Sequence, residues 1–352
     1  MNQKYNLSNF TKSESRAIST IRMVAMFLII LCHYAPTFLG SSALGALFSI
    51  GVPVFFIISG YLYGKKDIKN IKNWYIKQFI KISVPVYIYC FITGIVLFVF
   101  NNLGTITFKN IIIHTFFLQG FVNTHLGNIF TGNLWFISFI LLSYLITPLL
   151  QKIREKSISF KYILLFIMFF SIIEIFAILN LKLQAFSVAI PFIFLYIFFY
   201  FYSAYNKKMT SKKYIILSIG MSLSVICRFY FKYLADTRGM FYSTIYDRVI
   251  VQYTSLILAA WIFFTIYLLC QKFNILIEKL YPFINVCDKY SFYIYICHQM
   301  FLTGVCNVKG VTENFALDTL IFIVVTLFSA IILKLISEFL IQIITKVGIR
   351  HD

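Results

Sequence analysis

The stretch that decides the fold is STIRMVAMFLIILCHYAP, residues 19–36. It is long enough to cross a bilayer as a helix, and nearly all of its side chains are apolar. The ionisable exceptions are Arg22 near its start and His33 near its end. At about 100° per residue, eleven residues return to the same helix face about 16 Å further along the axis. The stretch therefore predicts a membrane-spanning helix with two ionisable side chains on one face.

The rest of the chain repeats such apolar segments. Its 352 residues are 60% hydrophobic and only 12% charged, which is more apolar surface than a soluble domain of this length could bury. We therefore predict an all-α polytopic membrane protein. Its ten predicted spans are approximately 17–39, 44–63, 82–100, 134–150, 161–179, 186–202, 214–233, 250–270, 290–307 and 316–345.

The charge distribution predicts the orientation. The net charge is +19, and most of the 31 lysine and arginine residues lie in short clusters between apolar segments. The positive-inside rule places these clusters, and both termini, in the cytoplasm. This pattern makes the bilayer the partner of the chain and excludes a nucleic-acid surface. We expect one membrane domain over 1–352, with short cytoplasmic tails at about 1–16 and 346–352.

The seven cysteines give no sign of a metal or disulfide site. They are scattered in or beside apolar segments, and no CxxC pair or zinc-type spacing occurs. We expect buried, unreactive thiols and no metal.

The connection at about 101–133 is the longest one and is predicted to be external. It is semi-apolar, so it either lies on the membrane surface or re-enters the bilayer. Re-entry is tolerated only where protein or water satisfies the backbone.

Arg22 and His33 have two interpretations. In the predicted orientation Arg22 lies toward the cytoplasm and His33 lies in the outer half of the membrane. Charged groups at membrane depth are costly and normally face a protein interior or a polar cavity, so two on one stripe suggest a shared cavity that crosses the membrane. Alternatively, Arg22 extends to the inner interface and His33 is hydrogen-bonded at the outer headgroups.

Five motifs occur in order along the chain. They are Arg22 and His33 separated by ten residues, GVPVFFIISG (51–60), KQFIKISVP (77–85), LWFISFILLSYLITP (134–148) and SFYIYICH (291–298). This ordered set resembles the acyltransferase 3 family, integral-membrane O-acyltransferases that modify cell-envelope polysaccharides, in its short single-domain branch. The chain departs from the family pattern at Ser19, where an aspartate is common, and at Gln78 and Lys81, where the family has a pair of arginines.

The resemblance implies a reaction. An acyl group, either acetyl or succinyl, would pass from a cytoplasmic acyl-CoA to a hydroxyl of an extracellular or lipid-linked glycan at the plasma membrane of a bacterium. Acyl-CoA would be a co-substrate, with no bound cofactor. His33 would be the general base, and Arg22 would hold the donor or stabilise negative charge. Lys77, Lys81 and Gln78 would bind the donor.

Further residues are candidates for substrate contacts or for support of the site: Ser59, Asn133, Trp135, Glu174, Arg228 and His298. Ser59 is either a nucleophile or, with more support, a hydrogen-bonding group at a helix break. His298 either orients substrate or is a hydrogen-bonded core residue. Trp135 anchors the outer interface or stacks on a sugar. Arg228 and Glu174 are predicted intramembrane charges.

Two other functions remain open from the sequence. Ten spans and intramembrane charges also suit an exporter or flippase for polysaccharide or lipid-linked sugar. A non-catalytic membrane partner in glycan assembly is the third alternative. The sequence leaves open which acyl group and glycan are used, whether a covalent acyl-enzyme forms, and whether the protein is a homo-oligomer.

Overall fold

The computed structural model describes residues 10–100, 107–121, 132–181 and 190–348. Within these ranges the secondary structure is helical and contains no β-strand. The helices are α1 (Lys12–Phe38), α2 (Ser42–Phe48), α3 (Gly51–Gly64), α4 (Ile71–Val99), α5 (Phe108–Thr115), α6 (Trp135–Glu155), α7 (Phe160–Leu181), α8 (Ile190–Ala204), α9 (Ser211–Arg238), α10 (Met240–Ile245), α11 (Val251–Lys272), α12 (Asn274–Leu302) and α13 (Phe315–Gly348).

The predicted fold class is confirmed. In the described part of the chain, eight helical spans are long and apolar enough to cross a membrane, with α2–α3 and α10–α11 each counted as one span. The two other predicted spans coincide with α8, a shorter apolar helix, and with the carboxyl-terminal half of α12. The count of ten spans and the cytoplasmic termini stay predictions. The predicted tails lie partly outside the described residues.

Two glycines let α3 pack closely against α8. Gly60 and Gly64 lie one turn apart, and a Cβ at either position would overlap the backbone carbonyl of Tyr196 or Tyr200. The matching order of these contacts shows that the two helices are parallel. Small residues four apart are a common means of helix contact in membranes. α3 also packs against α1, α6 and α11, so it is a central helix of the fold.

The second membrane span is broken in the middle. The sequence predicts a single segment over 44–63, but α2 ends at Phe48 and α3 begins at Gly51. Pro53 explains the break, because in a continuous helix its ring would clash with the carbonyl of Ser49 and its nitrogen could not donate. Irregular backbone at membrane depth is tolerated where protein or a cavity surrounds it. The break therefore indicates that protein or a polar cavity surrounds this part of the backbone.

The external connection packs deep against the helices. The Phe117 ring lies 5.9 Å from the Phe79 ring, and the Tyr87 hydroxyl donates to the carbonyl of Thr115 at 2.7 Å. Phe79 lies twenty residues before Val99, the end of α4, which corresponds to about 30 Å along that helix. The described part of the connection thus fits the re-entrant alternative.

Candidate active site

A cavity of about 120 Å³ lies beside His33. It is bounded by α1, the break between α2 and α3, and the beginnings of α6 and α11. Its lining includes the polar side chains of Cys32, His33, Ser49, Asn133, Trp135 and Gln252. A cavity of this size and polarity can hold water. In the predicted orientation it belongs to the outer half of the membrane domain.

His298 lies against His33, with the two ring centroids 5.3 Å apart. The His298 side chain is 0% exposed, and its Nδ1 lies 2.7 Å from the carbonyl oxygen of Tyr295. A fully buried imidazole without a carboxylate partner is stable only in its neutral form. Since Nδ1 donates to the carbonyl, Nε2 is an acceptor. It is buried and has no hydrogen-bond partner among the described residues.

Asn133 presents a second buried acceptor. Its Nδ2 donates to the carbonyl of Tyr295 at 2.7 Å and to that of Ile296 at 3.3 Å, while the Tyr295 hydroxyl donates to the Asn133 carbonyl. These bonds fix the amide, so Oδ1 must be the free end. Asn133 is 2% exposed, and its Oδ1 has no partner within the described ranges.

The cavity therefore has two buried hydrogen-bond acceptors beside it, Asn133 Oδ1 and His298 Nε2, that have no donor among the described residues. A buried acceptor without a partner costs about 1–3 kcal/mol, so unpaired acceptors beside a cavity indicate a ligand that donates hydrogen bonds. Hydroxyl groups are such ligands. Trp135 adds an aromatic wall, packed against Phe192 at 6.2 Å between ring centroids. Because Trp135 lines the cavity, it is available for stacking on a sugar.

Arg22 lies at a second polar site, nearer to the other end of α1. Its Nη1 donates to Asp288 of α12, at 2.6 Å to Oδ1 and 2.8 Å to Oδ2. The Arg22 side chain is 30% exposed and that of Asp288 is 9% exposed. This pairing leaves Nε and Nη2 of Arg22 without a partner among the residues that the structure describes.

A chain of hydroxyl groups extends this second site. The Tyr144 hydroxyl lies close to those of Ser59 and Tyr63, and Arg22 is close enough to act on both tyrosines electrostatically. The Tyr63 hydroxyl donates to Oε1 of Gln78 at 2.9 Å. We call Arg22, Asp288, Ser59, Tyr63, Tyr144 and Gln78 the inner cluster. The helix break expected beside Ser59 is not found, because α3 continues through this residue to Gly64. The choice between a hydrogen-bonding group and a nucleophile stays a prediction.

The predicted donor-binding residues divide into two groups. Gln78 faces the protein interior in the inner cluster, whereas Lys77 and Lys81 are exposed on α4. Lys66 and Lys77 are close enough to Lys81 to interact with it electrostatically, and Lys66 Nζ lies 6.0 Å from the Tyr63 ring centroid. Lys66, Lys77 and Lys81 form a basic group beside the inner cluster, and we call it the lysine group.

The two sites are separated on α1 but related through α3. The cavity lining contains His33 but not Arg22, and the buried side chains of Met26 and Ile29 fill the α1 face between them. Although α3 is a central helix, one of its faces is only partly buried. This face carries Val52, Phe55, Ser59 and Tyr63. Val52 lines the cavity and Ser59 belongs to the inner cluster. A route between the sites would follow this face of α3.

Comparison with protein families accounts for nearly the whole chain. Residues 15–335 match the model of the acyltransferase 3 family, described as an acyltransferase domain. The chain belongs to this family. Searches of curated proteins and of solved structures each found no match. Both sites of this acyltransferase, and all five motifs that carry the resemblance, lie within the matched residues.

Arg228 and Glu174 of the acyltransferase lie away from the cavity lining. Arg228 is 3% exposed and is held by neutral oxygens of α2 and α11. Glu174 is 8% exposed, and its Oε2 accepts a hydrogen bond from the Tyr253 hydroxyl at 2.8 Å. Both lie within long apolar helices, and their placement as charges at membrane depth stays a prediction. Neither reaches the cavity directly.

Asp288 is one of several residues of the acyltransferase sites that the sequence analysis misses. The predicted ninth span begins at 290, so Asp288 was counted as part of a cytoplasmic connection. The sequence does carry a signal, because an acid close to a predicted span requires a partner. In the structure, α12 continues through this position. Gln252 and Lys66 were missed for the same reason, since each lies next to a predicted boundary or in a lysine-rich connection.

Proposed function

We propose that this acyltransferase transfers an acyl group, with acetyl as the simplest candidate, from cytoplasmic acyl-CoA to a hydroxyl of a bacterial cell-envelope glycan or its lipid-linked precursor. The observation that carries the proposal is the set of buried hydrogen-bond acceptors around His33. Such a set fits an alcohol, which can donate a hydrogen bond and is the group that receives the acyl group in O-acyl transfer. The reaction converts a thioester and an alcohol into an ester and a thiol, so no proton is gained or lost overall.

His33 acts as the general base in this scheme. It takes the proton of the acceptor hydroxyl while the oxygen attacks the thioester carbonyl, and it returns the proton to the departing thiolate. Asn133 Oδ1 and His298 Nε2 are acceptors that orient the hydroxyl or stabilise the second N–H of the protonated His33. His298 acts as a positioning residue, because its tautomer is fixed by Tyr295.

The start of α3 supplies a position for the developing oxyanion. Gly51 and Val52 line the cavity as the first residues of this helix, which has no side-chain cap. Amide groups at a helix amino terminus are unpaired and carry partial positive charge. Donors fixed before the reaction stabilise a tetrahedral intermediate strongly, since they need no reorganisation.

The inner cluster and the lysine group bind the donor. Arg22, held by Asp288, offers its remaining N–H groups to the thioester arm or a phosphate, and the lysines attract the nucleotide phosphates of acyl-CoA. The thioester would reach His33 along the α3 face, about 16 Å from Arg22 along α1. That separation suits the extended pantetheine arm of coenzyme A.

The experiment that tests this function compares surface polysaccharide from cells with and without the protein. Proton NMR before and after mild base treatment measures ester-linked acyl groups. We expect esters only when the protein is present. The esters should be lost in His33→Ala at normal membrane abundance, and in Arg22→Ala also after correction for its membrane abundance. Equal ester content with and without the protein would contradict the proposal.

The broken span favours one competing function. Discontinuous helices near the middle of the membrane occur at transport sites, so an exporter or flippase for sugars is the second candidate. It needs no acyl donor and leaves its substrate unmodified. Transport of a glycan without acyl-CoA, in the absence of new esters, would support that candidate.

A further inference from the structure

Arg228 makes hydrogen bonds to four oxygens inside the protein. Its Nε donates to Thr254 Oγ1 at 2.7 Å, and its Nη1 to the carbonyl of Ala46 at 2.5 Å. Its Nη2 donates to the carbonyl of Val251 at 3.0 Å and to Ser255 Oγ at 2.5 Å. The planar fork of a guanidinium can reach several acceptors in fixed directions, which the single ammonium of lysine cannot do.

All four acceptors are neutral. In the described part of the chain no carboxylate lies within ion-pairing distance of Arg228. A buried charge at membrane depth needs compensation, and here it comes from dipoles: two hydroxyls and two carbonyls. The carbonyl of Ala46 belongs to the last turn of α2, which is the negative end of that helix.

The acceptors lie beside two irregular parts of the backbone, the break between α2 and α3 and the π-helical turn that precedes α11. Ala46 lies just before the break between α2 and α3. Ser255 Oγ lies 3.5 Å from the carbonyl of Ser49, which is the carbonyl that Pro53 leaves without a helical donor.

On the other side of Arg228, α11 is preceded by a π-helical turn over Tyr246–Ile250. Thr254 Oγ1 accepts from Arg228 and donates to the carbonyl of Ile250 at 2.5 Å, the last residue of that turn. Val251 and Gln252, which follow the turn, line the cavity. Single π-turns inside helices are frequent at functional sites.

We propose that Arg228 is a positioning residue for the acceptor end of the site. It holds the broken span and the first turn of α11 in one arrangement, and so it sets the start of α3 and the side chain of Gln252 relative to His33. The kinetic consequence rests on the proposed acyl transfer, whereas the structural consequence does not.

The structural consequence is tested through Cys32, which lines the cavity and lies close enough to Arg228 to interact with it electrostatically. The six other cysteines are replaced by serine, and the rate at which a charged, membrane-impermeant methanethiosulfonate modifies Cys32 is measured on intact cells. We expect Arg228→Lys to change this rate about tenfold, since small displacements at a fitted site have effects of this size or larger. Arg238→Lys, in an exposed position on the same helix, is the matched control.

Ser255→Ala separates positioning from a general loss of folding. It removes one acceptor of Arg228 together with the contact to Ser49, and it should change the Cys32 rate in the same direction. If the two residues act through each other, the double variant changes the rate by less than the product of the single effects. An unchanged rate in Arg228→Lys, including no reaction in either protein, overturns the proposal, as do independent effects in the double variant.

The kinetic consequence is measured with labelled acetyl-CoA and the cell's own polysaccharide. Arg228→Lys should lower the maximal rate of ester formation about tenfold to a hundredfold, with the KM for acetyl-CoA unchanged. If the KM for acetyl-CoA rises by the same factor as the maximal rate falls, the positioning role at the acceptor end is overturned. If the wild-type protein forms no ester, the proposed function fails while the Cys32 result still decides the role of Arg228.

Discussion

The outer cavity and the inner cluster are built from different chemistry. The cavity is lined by neutral groups and by irregular backbone, and two of its neighbouring acceptors lack partners in the described structure. The inner cluster contains the Arg22–Asp288 ion pair, the Tyr63–Gln78 hydrogen bond and the nearby hydroxyls of Ser59 and Tyr144, and it lies within regular helices beside the lysine group.

Under the proposed function, this difference leads us to expect the two substrates at different ends. A neutral alcohol can donate a hydrogen bond to the unpaired hydrogen-bond acceptors, but distant lysines attract it only weakly. The anionic acyl donor is attracted by cations, and it would be poorly placed among hydrogen-bond acceptors. Variants at the cavity should therefore affect the acceptor step, and variants at the inner cluster should affect binding of the donor.

The largest expected effect comes from His33→Ala. Loss of a general base lowers the rate by about a hundredfold to ten-thousandfold, while coenzyme A should bind the purified protein as before because its site is at the other end. Ester content by NMR and calorimetric titration with coenzyme A check the two parts. His114→Ala, on α5 and outside the cavity lining, is the control. Weakened coenzyme A binding in His33→Ala would contradict the division into two ends.

Arg22→Ala is expected to have the next largest effect. It should weaken binding of coenzyme A and also reduce stability, since removing one partner of a largely buried ion pair costs about 3–5 kcal/mol. The double variant Arg22→Ala with Asp288→Asn removes the unpaired carboxylate, so it should recover membrane abundance without recovering donor binding.

Lys232→Ala is the matched control for Arg22→Ala, because it breaks the Lys232–Asp236 pair on α9, away from both sites. Its coenzyme A affinity should equal that of the wild type. If the Arg22 and Asp288 double variant binds coenzyme A normally, Arg22 has only a structural role.

Local sequence patterns predicted most of the helices, including the one helix that carries both Arg22 and His33. The spacing of Arg22 and His33 requires only the regular period of one helix, and α1 extends through both. The closely packed Gly60 and Gly64 were equally visible as small residues four apart, but the sequence does not show that α8 is the partner. Pro53 lies within the predicted span 44–63, and the sequence alone does not show that the helix divides into two there.

The arrangement of the sites depends on contacts that are distant in sequence. The acceptor character of Asn133 follows from bonds to Tyr295, and the neutral tautomer of His298 follows from the same residue. Asp288 pairs with a residue on the first helix. No periodicity or spacing encodes which nitrogen of an imidazole donates, so these features require the packed structure.

His298→Phe should have an intermediate effect that separates positioning from packing. The phenyl ring keeps the volume but removes both ring nitrogens, so ester formation should fall about tenfold to a hundredfold. Thermal stability should change little, because loss of the bond to Tyr295 is offset by removal of the unpaired Nε2. A core histidine without a role in the reaction would instead give unchanged kinetics. Thermal unfolding and ester formation are measured on the same preparation.

The smallest effects are expected at the lysine group. Lys66→Gln, Lys77→Gln and Lys81→Gln should each raise the KM for acetyl-CoA about twofold to fivefold, because exposed charges contribute less than about 1 kcal/mol. The effect should shrink as salt is added, since the Debye length falls to about 3 Å at 1 M. The maximal rate should stay constant, because the lysines lie at the end of the protein opposite His33. Lys212→Gln, an exposed lysine at the start of α9, is the control. If the three variants instead lowered the maximal rate and left the KM for acetyl-CoA unchanged, the cationic end would take part in the transfer step, and the division between a neutral acceptor end and a charged donor end would be wrong.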